Sequence, residues 1–259
     1  MKKFLLYVLL LAFFPLEAHA FSVEHNFTVF VGPFNASKTD FTYALDSKNY
    51  AVSSRVKTFG FFDTLYPFEA VYSTTGKIKG QEFETTSYKY RSKSRFNRRR
   101  KELIYNQDGI PVYRLSSKND KEKKVELTPS AKNNETTDLQ TVFAKLAYQY
   151  NQTKFCDSRM EVFDGKRRFD IIFKDEGQEE LVPNQFSSLS GKAGKCSMYI
   201  DNLGSEGDDL LWQFTSDRPI KIWILTDKAK NIPFIARIEI DETPLGKMNI
   251  YTHKHTIKD

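Results

Sequence analysis

Residues Thr137 to Tyr150, TDLQTVFAKLAYQY, break the character of everything around them. Leu139, Val142, Phe143, Leu146, Ala147 and Tyr150 recur at three-and-four spacing, which draws one apolar stripe along a 3.6-residue period. Thr137 followed by Gln140 reads as a capping box, and Asp138 suits the positive end of the helix dipole. Burying the six stripe residues would contribute roughly 10 kcal/mol. Most of the chain before and after this stretch alternates polar and apolar with the period of a strand. One helix among many strands predicts a mainly β (α+β) fold. The expected architecture is a large curved antiparallel sheet, a half-barrel or open barrel, wrapped around that central helix.

The 22 Phe and 13 Tyr support a sheet, since flat side chains pack well on a pleated surface. Strands are expected at His25 to Val31, Thr39 to Leu45, Asn49 to Thr58, Glu69 to Thr74 and Gln81 to Asn97. Further strands follow at Glu102 to Tyr105 and Ile110 to Leu115, joined by a turn ending in Asp108-Gly109. Ser116 to Glu135 is polar and charged and reads as a long loop running to the helix. Past the helix, Arg159 to Phe163 and Arg168 to Phe173 bracket another Asp-Gly hairpin, and Asp175 to Gly194 reads as a loop or weak hairpin. Ser197 to Ile200, Leu210 to Thr215, Pro219 to Leu225, Phe234 to Ile240 and Lys247 to His255 complete the set. No repeat or linker divides the chain, so residues 21–259 are expected to form one domain.

The first twenty residues have the layout of a cleaved secretory signal. Lys2 and Lys3 precede the apolar run Phe4 to Phe14, and Ala18-His19-Ala20 is a small-x-small cleavage site. The apolar run is short for a bilayer span and Pro15 interrupts it. A periplasmic protein without a transmembrane span is the expectation. In an oxidising compartment the two cysteines, Cys156 and Cys196, most simply form a structural disulfide. Four Asn-x-Ser/Thr sequons, at Asn26, Asn35, Asn134 and Asn151, are taken as chance, because the leader looks bacterial.

Three stretches carry a resemblance. Asp138-Leu139-Gln140-Thr141-Val142-Phe143 opens the helix, and Val162 to Asp170 (VFDGKRRFD) forms a hairpin. Ile235-Ala236-Arg237-Ile238, running on to Leu245-Gly246, forms a second one. In these, from about Phe27 to Ile257, the chain resembles the exported bacterial family called domain of unknown function 3108. That family is similar in outline to the LolA/LolB-like half-barrels of the bacterial envelope, whose curved sheets wrap helices and can hold acyl chains. The resemblance implies a fold and a compartment. It supplies no activity.

The chemistry-bearing motifs are few. There is no Gly-x-Ser-x-Gly, no His-Glu-x-x-His, no phosphate-cradling glycine loop and no metal-type cysteine cluster, and no enzyme activity, catalytic residue or cofactor is expected. His253 and His255 lie two apart on the last strand, where two imidazoles could chelate a metal with Asp259 or His25, but they read better as solvated terminal residues. Glu206, Asp208 and Asp209 read as a solvated turn. Phe59-Gly60-Phe61-Phe62 with Leu65-Tyr66 reads as a core corner, or else as the lip of an apolar site. The strongest polar feature is the basic tract from Lys89 to Lys101, with Lys166 and Arg167 in the hairpin. It is either a solvated edge strand or a grip for phosphate or carboxylate groups. After export the abundant polyanions are lipid headgroups and acidic glycans, so nucleic acid is not an expected partner.

The primary expectation is binding or carriage of a lipid or other amphipathic anionic ligand. Phe143, Leu146, Phe163, Phe169, Tyr199 and Trp212 are the candidate apolar lining, and Arg95, Arg98, Arg99, Arg100 and Arg167 the candidate basic rim. The alternative is a structural envelope protein acting on a protein partner through strand edges and the basic tract. A metal-dependent or carboxylate-based hydrolase ranks last, because no convergent site can be assembled from these residues.

Overall fold

The computed structural model describes residues 21–127, 136–203, 215, 217–243 and 245–258. The leader, the Glu206 to Asp209 turn, the Leu210 to Phe214 part of an expected strand, Trp212 and Asp259 all lie outside them. The first half of the chain runs β1 (Phe21–Val31), β2 (Phe34–Leu45), β3 (Asn49–Thr58), α1 (Gly60–Leu65), β4 (Phe68–Lys79), β5 (Glu82–Ser94), β6 (Arg98–Tyr105), β7 (Pro111–Lys118) and β8 (Lys121–Glu126). Then come α2 (Leu139–Thr153), β9 (Ser158–Phe163), β10 (Arg168–Leu181), β11 (Gly191–Asn202), β12 (Ile220–Thr226), β13 (Pro233–Ile240) and β14 (Met248–Lys258).

All fourteen described strands form one antiparallel sheet in the order β8-β7-β6-β5-β4-β3-β2-β1-β14-β13-β12-β11-β10-β9. The first and last strands are neighbours at its middle. The edges, β8 and β9, do not pair, so the sheet is curved but not closed. Helix α2 runs through its concave side. Two apolar clusters pack against opposite flanks of the helix. Val142, Leu146 and Tyr150 meet Phe169, Ile171, Phe173 and Ile222, and Ala144 meets Val23, Tyr43, Val52 and Phe83. Burial therefore extends beyond the expected stripe to Gln140, Thr141 and Ala144, because sheet covers the helix on both sides.

The helix also starts later than its sequence suggests. Thr137 is still extended, and bridges to Val162 at the β9 edge. The N-cap is Asp138, whose carboxylate accepts from the amides of Gln140 and Thr141; the Thr137 hydroxyl makes no cap bond. A carboxylate outbids a hydroxyl for the amide donors of a first turn.

Three polar stretches turn out to be strand. Asn119 and Asp120 both have positive φ (48° and 65°), the signature of a two-residue type I′ turn, and they fold Ser116 to Glu126 into the β7–β8 hairpin. Likewise β10 continues to Leu181 past a bulge near Gly177 (φ 80°), and β11 begins at Gly191. Cys156 and Cys196 form the expected disulfide, with their Cα atoms 6.1 Å apart. No helix among the described residues is long and apolar enough to cross a membrane.

Candidate functional site

A bulge decides what the concave face presents. In β5, Thr85 pairs with Gly76 and Ser87 with Thr75, leaving Thr86 extra. Before the bulge Phe83 and Thr85 point inward; after it Tyr88 and Tyr90 do, and Lys89, Arg91 and Lys93 point out. Register then carries the inward set across the sheet. Tyr88 faces Leu103, Tyr90 faces Lys101, and Ser92 faces Arg99. On β7 the partners are Arg114, Ser116 and Lys118, and on β8 Lys123 faces Ser116 and Lys121 faces Lys118. Two cross-strand rows result: Arg99, Lys118 and Lys121 in one, Lys101, Ser116 and Lys123 in the other.

These rows wall a cleft of about 600 Å³ above the helix start, with Tyr72, Tyr88, Tyr90, Asp138, Leu139, Asp164, Arg167 and Phe169 as the remaining principal lining. That volume lies in the usual range for a ligand site, about 300–1,000 Å³. Asp138 is fully engaged. Its Oδ1 accepts the Thr74 hydroxyl at 2.8 Å and its Oδ2 those of Thr85 at 2.9 Å and Thr141 at 2.5 Å. Asp164 binds Arg167 Nε at 2.8 Å and Lys101 Nζ at 3.5 Å. Burial alone would raise the Asp164 carboxyl, yet Lys101 and Arg167 hold it below the usual carboxylate range. Burial lowers Lys101 in spite of Asp164. Desolvation and its neighbour Tyr90 push the Tyr72 phenol up to about 12, so it stays a neutral donor. Among the described residues, Arg99, Lys118, Lys121 and Lys123 make no ion pair. Like charges placed opposite one another on adjacent strands cost stability, and among the described residues no ion pair offsets them.

Beside the cleft, on the other flank of the helix start, Phe27, Phe41, Phe143, Ile235, Ile238 and Ile250 line an apolar recess of about 160 Å³. Ser54, at its edge, is the direct cross-strand partner of Tyr72 in the cleft, so the two hollows adjoin. Gln140 donates to Ser54 Oγ at 3.0 Å, while its Oε1 is buried without a protein partner. Lower down the helix, next to Leu146 and His25, a cavity of about 20 Å³ has room for about one water.

The expected site residues separate accordingly. Phe143 lines the recess and Phe169 borders the cleft. Leu146 and Phe163 are buried core rather than ligand lining. Tyr199 is on the convex face, because Met198 and Ile200 on either side of it point into the core, and Lys174 lies over its ring at 5.2 Å. Arg99 and Arg167 line the cleft. Arg98 alternates to the convex face. Arg100 borders the cleft, but its guanidinium reaches outward to Glu122 at 3.9 Å. Arg95, in the β5–β6 turn, donates to the Thr64 carbonyl at 3.1 Å. The cations that sequence reasoning passed over, Lys118, Lys121 and Lys123, lie in the stretch read as loop; the Asn119-Asp120 turn with alternation on both sides was the available signal. His253 is the exposed residue of a bulge opposite Asn26 and Phe27. His255 instead stacks on Phe234 at 4.0 Å and meets Asp227 at 3.1 Å, so the two imidazoles do not converge. Among the described residues no three metal-ligating side chains cluster.

The sequence profile of the family described as "Protein of unknown function (DUF3108)" matches residues 26–246. The chain belongs to this family. No curated protein matches it. A solved structure similar in outline to this DUF3108 chain is the crystal structure of a beta-barrel-like protein of domain of unknown function DUF1849 from Brucella abortus. It is 11% identical, with 93% of this chain and 98% of that chain covered and a TM-score of 0.46. The disulfide of this DUF3108 member is compatible with export.

Proposed function

We propose that the protein binds and carries an amphipathic anionic molecule in the bacterial periplasm, without catalysing a reaction. The anionic head sits in the cleft against Arg99, Lys118, Lys121 and Lys123, and the apolar portion turns past the helix start into the recess beside Phe143. The observation that carries this reading is a cationic row on a concave wall that makes no ion pair among the described residues. Repulsion between Lys118 and its two basic cross-strand neighbours is relieved when an anion lies among them. Tyr90, which takes the Tyr72 hydroxyl proton, supplies its own hydroxyl donor to the same head, and the Gln140 Oε1 atom accepts from a ligand hydroxyl. The recess alone is smaller than a whole acyl chain needs, so part of the chain remains at the mouth.

The test is titration of the folded protein with short-chain phosphatidylglycerol and with phosphatidylcholine of equal chain length, both below their aggregation limits. Preference for the anionic head by about tenfold, lost in Lys118→Glu/Lys121→Glu, is the expected result. Equal affinity for both heads, or no binding, overturns the reading. A protein partner in the envelope whose capture survives the same charge reversals would then favour a structural role.

A further inference from the structure

The described residues include eleven large hydrophobic side chains that are substantially exposed, and eight of them stand at one end of the sheet. That end is the one toward which α2 points its N-terminus, and it surrounds the cleft. Antiparallel order brings the β1–β2, β3–β4, β5–β6 and β7–β8 connections together there. Phe34 opens β2 beside the first of these, and Phe59, Phe61, Leu65, Tyr66 and Phe96 lie on the next two. Leu203 and Leu245 stand across the mouth, on connections at the same end.

These groups are held out by ordered backbone. The Asp63 carboxylate accepts the Thr58 hydroxyl at 2.8 Å, Phe68 N donates to the same Thr58 Oγ1 at 2.8 Å, and Phe59 N donates to Ala36 O at 2.9 Å. The clamp fixes α1, none of whose residues is buried. Phe61 and Leu65 are four apart and so share one helix face, 63% and 56% exposed. A core corner would have buried them. Cations stand among the aromatics: Lys38 Nζ lies 4.2 Å from the Phe59 ring centroid, and Arg95 ties the β5–β6 turn to α1 through the Thr64 carbonyl at 3.1 Å.

We infer that this rim is a docking surface for a lipid bilayer with anionic headgroups. Aromatic and leucine side chains on a short rigid element, flanked by lysine and arginine, match the chemistry of the membrane interface: the rings enter the headgroup–acyl boundary and the cations meet phosphate. The rim is continuous with the basic wall of the cleft, so a docked molecule presents its open mouth to the lipid surface. Docking does not depend on what fills the cleft.

The experiment is co-sedimentation of the full chain with vesicles of phosphatidylcholine alone and with vesicles also containing phosphatidylglycerol. The wild-type protein is expected to sediment with the anionic vesicles, less so as salt rises. Phe61→Ser/Leu65→Ser is expected to lose about tenfold or more in partitioning, whereas Val182→Ser, outside the rim, is expected to keep it. A Phe61→Trp probe should shift its emission to the blue on binding and be quenched by brominated lipid. Wild-type protein that stays in the supernatant with anionic vesicles, or a double variant that sediments as well as wild type, overturns the proposal. Monomeric short-chain phosphatidylglycerol reports the cleft separately. Its binding by the double variant shows that lost sedimentation comes from the rim.

Discussion

The carboxylate of Asp138 and the hydroxyl of Thr74 are 2.8 Å apart across 64 residues of sequence. The same carboxylate caps α2 and receives Thr85 and Thr141, so one side chain fixes helix start, strand β4 and strand β5 together. Tyr50 adds its hydroxyl to Thr85 and Thr141, at 3.1 and 2.9 Å. Asp138→Ala removes the cap and strands three buried hydroxyls. A loss of about 3–5 kcal/mol is expected in urea unfolding, with Asp138→Asn intermediate because one oxygen still accepts.

Reducing the Cys156–Cys196 bridge, or replacing both residues with Ser, should cost about 4 kcal/mol in the chain-entropy account of a loop this size. The cysteines are 40 residues apart. The bridge ties the segment after α2 to β11, so thermal unfolding with and without reductant reads the effect directly.

Gly165 seats the β9–β10 turn against β6 and β7. Its φ is 85°, and a Cβ there would stand 2.5 Å from Leu103 Cδ2 and 3.1 Å from Arg114 Cδ. Arg114 also donates to the Gly165 carbonyl at 2.6 Å. Gly165→Ala therefore meets both backbone strain and a buried leucine, and should destabilise by about 1–3 kcal/mol. Faster amide exchange in β6 and β9 than in β1 and β14 would locate the damage at this contact.

Acid should weaken the fold through His25. Burial, with His255 adding repulsion, takes this imidazole from 6.5 down to about 3. Between those values the unfolded chain binds a proton that the native state refuses, so stability falls as pH drops below 6.5, by up to about 1.4 kcal/mol per pH unit. Above about pH 7 both states are neutral and the group contributes nothing. Asp164 and Asp227, whose carboxyls are held low, add their own losses at lower pH. The informative quantity is thus the difference between wild type and His25→Leu in urea unfolding from about pH 7 to about pH 4.5. The variant's decline should be the shallower one.

Much of the architecture was legible because hydrophobic period is a local property. Val142, Leu146 and Tyr150 announce α2, and the Asp-Gly turns announce two hairpins. What escaped depended on single residues that alter register or conformation. One extra residue at Thr86 turned Tyr88 and Tyr90 to the same side as Phe83, against strict alternation. Positive φ at Asn119 and Asp120 made a hairpin from a stretch whose charge suggested a loop. That hairpin supplies three of the five cations in the two rows, so the cleft was foreshadowed through Arg99, Arg100, Lys101, Arg167 and Phe169 but not through its lysine-rich side. Tyr199 was misplaced for the same kind of reason: composition marks an aromatic residue, but only register says which face it occupies.

Strands β1 and β14 meet in the middle of the sheet, with Ser22 opposite Lys258. A polypeptide emerging amino end first can therefore lay down β1 to β8 hairpin by hairpin, yet its central seam waits for the final strand. Until that strand arrives, the β1–β8 half that covers Ala144 and the β9–β13 half that covers Leu146 share no hydrogen-bonded seam. Losing even the last dozen residues would thus cut the protein through its centre, where trimming an edge strand would merely shorten it.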